Sequence, residues 1–130
     1  MAESENILTR TDDLIKWLLP KVEQMPRNFK FLFGDRLIQM MLDLLERLLE
    51  AYYSRDKIRP LTAANLQIEK LRHLLRICVD MHWLGLQQYE FAMRELNAIG
   101  GMAGGWLRHA RVGGAPGAPQ QALRPFGRAV

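Results

Sequence analysis

The reactive side chains of this sequence do not form the pattern of a metal site or a catalytic centre. His73, His82 and His109 have no metal-ligand spacing, and no ExxH, HExxH or CxxC motif occurs. His73 lies among charged residues of a predicted helix and is expected at the surface. Cys78 is the single cysteine, so it excludes an internal disulfide, and it falls on an apolar stripe where a buried, inert thiol is typical.

The carboxylates and the glycine-rich stretch give no further indication of catalysis. Glu46 and Glu50 lie one turn apart with Arg47 between them, which is typical of a solvated helix face. The glycines do not form a GxxxxGK[ST] or GxGxxG pattern, so a phosphate-binding loop is not indicated. The sequence therefore predicts a protein that is not an enzyme and that needs no cofactor or metal.

Cations are the remaining groups with a defined chemistry, which is the binding of phosphate. The chain has 18 Lys and Arg against 14 Asp and Glu, a net charge of +4. Most of these cations are arginine, whose guanidinium group suits bidentate contacts with phosphate. Several basic clusters on one small protein favour salt-dependent, sequence-independent binding of nucleic acid. Three clusters stand out: Arg27, Lys30 and Arg36; Arg55, Lys57 and Arg59; and Arg72 with Arg76.

Arg72 and Arg76 have two interpretations that the sequence leaves open. Glu69 and Asp80 stand three or four residues from them, so each arginine can form an ion pair on the helix surface. Such pairs contribute only a few tenths of a kcal/mol each. The alternative is that the arginines bind an anionic partner.

Apolar spacing predicts an all-α chain, because no segment alternates like a strand. The first helix is expected to open near Thr9 or Thr11, to be kinked at Pro20 and to end by Pro26. Gly85 is expected to cap the junction of the last two helices. The other predicted helices cover residues 29–54, 62–83 and 86–109, with a polar connection at residues 53–60. The core stripe of the helix at residues 62–83 is expected to be Ala64, Ile68, Leu71, Leu75 and Cys78. Short connections favour antiparallel neighbours, so the predicted fold is an up-down four-helix bundle.

The second predicted helix has an apolar face wider than one bundle core requires. One interpretation is that it is buried between several neighbours within the chain. The other is that one stripe serves the core and the second serves a subunit interface. The two stripes are Leu37, Met41, Leu44, Leu48 and Ala51, and beside them Ile38, Leu42, Leu45, Leu49 and Tyr52.

Four glycines interrupt the last predicted helix, in the run LNAIGGMAGGW at residues 96–106. A glycine in a helix interior costs about 1 kcal/mol relative to alanine, so four of them need a reason. Either they allow another backbone to approach closely, or the helix ends there and they form a cap and a loop.

Composition divides the chain into a bundle at residues 1–110 and a basic tail at residues 111–130. Gly, Ala and Pro dominate the tail, which is expected to be disordered. No stretch has the roughly 20 apolar residues of a membrane helix. The N-terminus is polar and acidic, unlike a signal peptide, and the single cysteine suits a reducing compartment, so a cytoplasmic protein is expected.

Three runs of the sequence together resemble the four-helix-bundle family of accessory variability determinant (Avd) proteins of diversity-generating retroelements. They are residues 18–37, residues 65–90 and the glycine run, and the resemblance spans roughly residues 10–108. A related branch is encoded within intervening sequences of bacterial large-subunit ribosomal RNA. The residues that carry the resemblance are Pro26, Gly34, Arg36, Leu71, Arg72, Gln88, Tyr89, Gly100, Gly104, Gly105 and Trp106.

The resemblance implies a ring-like homopentamer with a basic surface that associates with a reverse transcriptase and its template RNA during error-prone complementary-DNA synthesis. It makes Lys30, Arg36, Arg72 and Arg76 candidates for RNA or partner contact. Gly100, Gly104, Gly105 and Trp106 become candidates for helix packing or the oligomer interface. The family commonly has a cation where this chain has Gly101, so no basic contact is expected there.

Two functional hypotheses follow. In the first, the protein is an oligomeric, non-enzymatic accessory subunit that binds RNA and a reverse transcriptase. In the second, it is a helical scaffold that binds only proteins through an apolar face. Phosphate contacts weaken steeply with salt whereas apolar assembly persists, so salt dependence separates the two hypotheses.

Overall fold

The computed structural model describes the backbone of residues 2–113 and the side chains of residues 6–113, and this part of the chain is entirely helical. Four long helices are joined by short connections, and a short helical segment precedes the second of them. The elements are α1 (Ala2–Glu23), α2 (Arg27–Phe29), a π-helical turn (Lys30–Gly34), α3 (Asp35–Tyr53), α4 (Ile58–Asp80) and α5 (Leu86–Gly113).

Contacts between the helices define an antiparallel bundle. Along α1, Arg10 pairs with Glu95 at 3.8 Å, while Trp17, farther along, packs on Phe91 near the start of α5. Helices α1 and α5 therefore run in opposite directions. Each long helix packs on two neighbours, in the order α1, α3, α4, α5 and back to α1. The predicted four-helix bundle is confirmed; the predicted pentamer stays a prediction.

The core of the bundle contains the predicted stripes of α3 and α4. The first α3 stripe is wholly buried, as is the α4 stripe of Ala64, Ile68, Leu71, Leu75 and Cys78. In the second α3 stripe, Ile38, Leu42 and Leu45 are partly buried and pack against this core. The wide apolar face of α3 is thus largely used inside the chain, which favours the first of its two interpretations.

Helix α1 begins at Ala2, earlier than the predicted start at Thr9 or Thr11. Thr11 is not a cap. Its side chain is buried, and its hydroxyl donates a hydrogen bond to the Ile7 carbonyl at 2.8 Å within the helix. Ile7 is itself buried and extends the apolar stripe of Leu14 and Leu18 by two turns, so burial continues the helix toward the N-terminus.

A π-helical turn lies between α2 and α3, at residues that the sequence predicts as the start of one regular helix. Gly34 closes this turn against the end of α1. A Cβ atom at Gly34 would lie 2.6 Å from Val22 Cγ1 and 3.2 Å from Met25 Sδ. Because any larger residue would displace these buried side chains, the close packing of α1 on the turn requires glycine.

The α4–α5 junction is built differently from the prediction at Gly85. The left-handed residue that ends α4 is His82, with φ of 64°. Trp83 N–H and His82 N–H donate to the carbonyls of Cys78 at 2.9 Å and Val79 at 3.1 Å, which is a Schellman motif. Gly85 instead precedes α5, where its N–H donates to Gln88 Oε1 at 3.0 Å. Gly85 is therefore a cap, but of the following helix.

The glycine run is helical throughout, so its interpretation as a cap and loop is wrong. Helix α5 continues through Gly100, Gly101, Gly104 and Gly105 and reaches Gly113. It therefore extends three residues past the predicted bundle boundary at residue 110. The rest of the predicted tail, residues 114–130, lies outside the described residues.

Candidate nucleic-acid interface

Arg72 cross-links α4 to α5. Its Nη1 atom pairs with Glu69, and its Nη2 donates to Asn97 Oδ1 at 2.8 Å. A Cβ atom on Gly100 would lie 3.6 Å from that Nη2, so the small residue leaves room for the guanidinium group. The ion pair with Glu69 that the spacing predicts is therefore present, and the guanidinium group also contacts a second helix.

Three other candidate cations form ion pairs, of which those of Arg59 and Arg76 are exposed and that of Lys30 is partly buried. Arg76 pairs with Asp80 at 3.4 Å, Arg59 with Asp56 at 3.2 Å, and Lys30 with Glu23 at 3.5 Å. Exposed pairs of this kind contribute between nothing and about 1 kcal/mol. Arg59 and Arg76 can therefore exchange a carboxylate for a phosphate at little cost, whereas Arg72 would also lose its hydrogen bond to Asn97.

Lys57, in the second basic cluster, has a structural role. Its ammonium group donates hydrogen bonds to the carbonyls of Ala51 and Ser54, both at 2.8 Å, at the end of α3. A cation is favoured there because the last carbonyls of a helix lack intrahelical donors and carry the negative end of its dipole. Lys57 thus fixes the α3–α4 connection.

Arg27, Arg36 and Arg55 are the candidate cations with no carboxylate partner among the described residues, and all three are exposed. They lie at opposite ends of the bundle. Arg27 and Arg36 flank the π-helical turn, and Arg55 is in the α3–α4 connection. Since the 19 residues of α3 span about 28 Å, the ends are separated by far more than the Debye length of about 8 Å at physiological salt. One protomer therefore presents separate basic surfaces.

The end of the bundle that carries Arg27 also exposes apolar side chains, which the positions of the cations in the sequence do not indicate. Phe31 is 63% exposed and Leu32 77% exposed. The neighbouring Phe29, which is 40% exposed, and Phe33 pack on Trp83, with ring centres 4.9 and 5.4 Å from that of Trp83. The alternation of basic and aromatic residues in RNFKFLFGDR, residues 27–36, is the signal that could have indicated this surface.

The outer side of α5 carries the bare backbone of the glycine run. A Cβ atom on Gly101 would meet nothing within 4 Å, and one on Gly104 or Gly105 would meet only the Arg108 guanidinium group, at 3.8 and 3.7 Å. Within this chain, then, none of these three glycines is required by a close helix contact. Trp106 is partly buried and packs against the core instead.

The groups that could react or hold a metal remain apart in the structure. Cys78 is buried, and burial raises the pKa of its thiol from 9.0 to about 11, so the thiol stays protonated at neutral pH. His73 is exposed, as the sequence predicts. Within residues 6–113, no three His, Cys, Asp or Glu side chains are placed to share a metal ion. In the same region no helix has the length and apolar character needed to cross a membrane.

These features define a class of protein, the small antiparallel four-helix bundle with exposed arginines at both ends. Residues 6–110 match the family described as bAvd-like, and the chain belongs to this family. Membership confirms the resemblance to Avd proteins and indicates an accessory role in diversity-generating retroelements; the family is an accessory, non-catalytic one. Among curated proteins, none matches the chain.

Proposed function

We propose that this protein is a non-catalytic accessory subunit of a diversity-generating retroelement that binds the reverse transcriptase and its template RNA and supports mutagenic complementary-DNA synthesis in the cytoplasm. The observation that carries the proposal is the family match over residues 6–110. The proposed RNA contacts are the exposed Arg27, Arg36 and Arg55, assisted by Lys30, Arg59 and Arg76. Arg72 is the least available cation of the set, because Glu69 of α4 and Asn97 of α5 already contact its guanidinium group.

Assembly would explain how scattered basic surfaces act together. Arg27 and Arg55 lie at opposite ends of one bundle, so a single protomer offers each end only a few cations. Repeating both ends around a homopentameric ring multiplies the contacts that one RNA can make. Linked contacts raise overall affinity without any new kind of contact.

The outer face of α5 is the proposed subunit interface. Gly101, Gly104 and Gly105 together cost the helix about 3 kcal/mol relative to alanine, and the bundle itself gives no packing reason for them. A neighbouring subunit that approaches the α5 backbone closely would supply that reason. The proposed interface therefore includes Gly104 and Gly105, while Gly100 accommodates Arg72 within the chain.

Native mass by light scattering tests the assembly. Gly104→Leu adds bulk to the proposed interface, so we expect a smaller native mass with unchanged helical circular dichroism. The matched control is Gln87→Leu, which adds the same side chain at an exposed α5 position away from the glycines. An unchanged oligomer in the Gly104 variant, or a monomeric wild-type protein, would contradict the proposed interface.

Binding of template RNA and of reverse transcriptase is tested in parallel, at 50 mM and 300 mM salt. Replacing Arg27, Arg36 and Arg55 together with glutamine removes three exposed cations, so RNA binding should weaken strongly and depend less on salt. Reverse transcriptase that copurifies with the wild-type protein at either salt supports the partner role. If the polymerase binds while RNA does not bind even at low salt, the protein is a protein-binding scaffold and the RNA part of the proposal is wrong.

A further inference from the structure

The π-helical turn at the end of the bundle forms a surface that we name the Phe31 platform: Arg27, Lys30, Phe31, Leu32 and Arg36. The exposed fractions of Phe31 and Leu32, 63% and 77%, are large for apolar side chains. Lys30 Nζ lies 5.3 Å from the centre of the Phe31 ring, close enough for a cation–π contact. The remainder of the ring surface is open to a partner.

Packing beneath the platform holds it in place. Phe29 and Phe33 flank Trp83 of the α4–α5 connection, and Gly34 is closely packed against Val22 of α1. The turn is therefore packed against the α4–α5 connection through Phe33 and against α1 through Gly34. Phe31 and Leu32 lie on the outer side of the same turn, so the packed residues position the backbone that carries the exposed ring.

The charges around the ring favour an anion. Arg27 precedes Phe31 by four residues and Arg36 follows Leu32 by four, spacings that place side chains near one another on a helical surface. Neither arginine has a carboxylate partner among the described residues. Lys30 is paired with Glu23, and Asp35, the first residue of α3, is an exposed acid. Residues 26–36 thus carry three cations and one acid.

We propose that the Phe31 platform binds single-stranded RNA, with an unpaired base stacked on the Phe31 ring and the flanking phosphates contacted by Arg27 and Arg36. Aromatic rings beside cations are the recurring means of binding single strands, because every base offers a π face. A duplex buries those faces, so the platform distinguishes unpaired from paired RNA. The inference rests on the proposed RNA binding and adds where the RNA binds and in which form.

A purely apolar protein segment fits the platform less well. Covering Phe31 and Leu32 with such a segment would bring Arg27 and Arg36 to the edge of the contact without giving them an anionic partner. Charged groups are depleted from the cores of protein interfaces because their desolvation is costly. A phosphate backbone supplies acceptors for both guanidinium groups while a base covers the ring.

Binding of a fluorescent 12-nucleotide oligouridylate and of a 12-base-pair RNA duplex, at 50 mM salt, tests the proposal on the full chain. Phe31→Leu keeps apolar bulk but removes the ring, so single-strand affinity should fall roughly 5- to 150-fold. Phe31→Trp keeps a stacking surface and should bind at least as well as wild type. Leu66→Ala, which shortens an exposed leucine of α4 outside the platform, is the matched control and should change affinity by less than about twofold. Duplex affinity should be the same in all four proteins.

Each other result has a distinct meaning. If Phe31→Leu binds the oligouridylate as tightly as wild type, the platform does not stack bases, and the general proposal of RNA binding survives. If the tryptophan variant loses as much affinity as the leucine variant, the loss comes from altered packing and the inference is overturned. If wild type binds neither RNA, both the inference and the RNA part of the proposed function fail. A last result is loss of reverse transcriptase binding in Phe31→Ala but not in Phe31→Leu, while both variants bind oligouridylate as wild type does. That result would overturn the inference and identify the platform as a protein-docking surface.

Discussion

At the scale of single residues, the absence of a side chain at Gly34 allows the end of α1 to pack closely on the π-helical turn. The Cβ atom of Gly34→Ala would lie 2.6 Å from Val22 Cγ1, closer than such contacts occur. Alanine favours helix by about 1 kcal/mol, but overpacking a core costs typically 1–3 kcal/mol. We therefore expect Gly34→Ala to lower the free energy of unfolding by about 1 kcal/mol, measured by urea denaturation.

A second variant identifies the cause of that loss. In a Val22→Ala background the nearest atom is gone, so Gly34→Ala should cost much less than in wild type. A coupling energy near zero between the two positions would show that Val22 is not the obstacle.

His82 is a residue whose backbone conformation its side chain does not favour. At φ of 64° it occupies the left-handed region, where a residue with a Cβ atom is strained and glycine is not. We expect His82→Gly to raise the free energy of unfolding by about 0.5–1 kcal/mol in thermal or urea denaturation. Met81→Gly is the matched control, because Met81 has φ of −86° and glycine there only adds freedom to the unfolded chain. If both variants are destabilised equally, His82 is not strained.

At the scale of elements, Arg72 joins two helices, unlike the exposed arginines that are proposed to bind RNA. Arg72→Met keeps the aliphatic stem but removes the contacts with Glu69 and Asn97, so the α4–α5 contact should weaken by about 1–2 kcal/mol. Arg76→Met, which removes an exposed pair on the same helix, should change stability by less than about 0.5 kcal/mol. Urea denaturation measures both losses. Equal losses would contradict the cross-link.

Apolar periodicity predicts the long helices because burial dominates where the pattern is continuous. The α4 stripe from Ala64 to Cys78 is buried as predicted. Elements shaped by local hydrogen bonds and close contacts are harder to predict from the sequence. His82, for example, takes the left-handed position that glycine usually fills, and nothing in the sequence indicates it. The glycine run is a similar case, because its local cost left a helix end as one of two interpretations, whereas the observed helix α5 continues through it.

The candidate site is partly predictable for the same physical reason. Sequence spacing places Glu69 beside Arg72, so their pairing could be predicted as one of two alternatives. It does not reveal Asn97, which comes from another helix, or the three backbone carbonyls around Lys57. Contacts between distant segments decide which cations are occupied, and the exposed set of Arg27, Arg36 and Arg55 emerges only once the helices are packed.

At the scale of the whole molecule, we expect residues 114–130 to contribute positive charge but not stability. The buried core extends from Ile7 to Leu107, and α5 reaches Gly113, so removal of residues 114–130 leaves every described core contact in place. We expect this truncation to change the free energy of unfolding by less than about 0.5 kcal/mol. It also removes Arg124 and Arg128, two cations with no acid between them.

The truncated protein should therefore differ from the full chain in its affinity for RNA and not in its stability. If both tail arginines contact phosphates of a single strand, the slope of log affinity against log salt should become shallower by about 1.4, since each contact contributes about 0.7. Titration of an oligouridylate at several salt concentrations measures this slope, and urea denaturation measures the stability. An unchanged slope would confine RNA contact to the bundle, whereas loss of cooperative unfolding would show that the tail is part of the fold. Because Arg27, Arg36 and Arg55 remain, most of the salt dependence should survive the truncation.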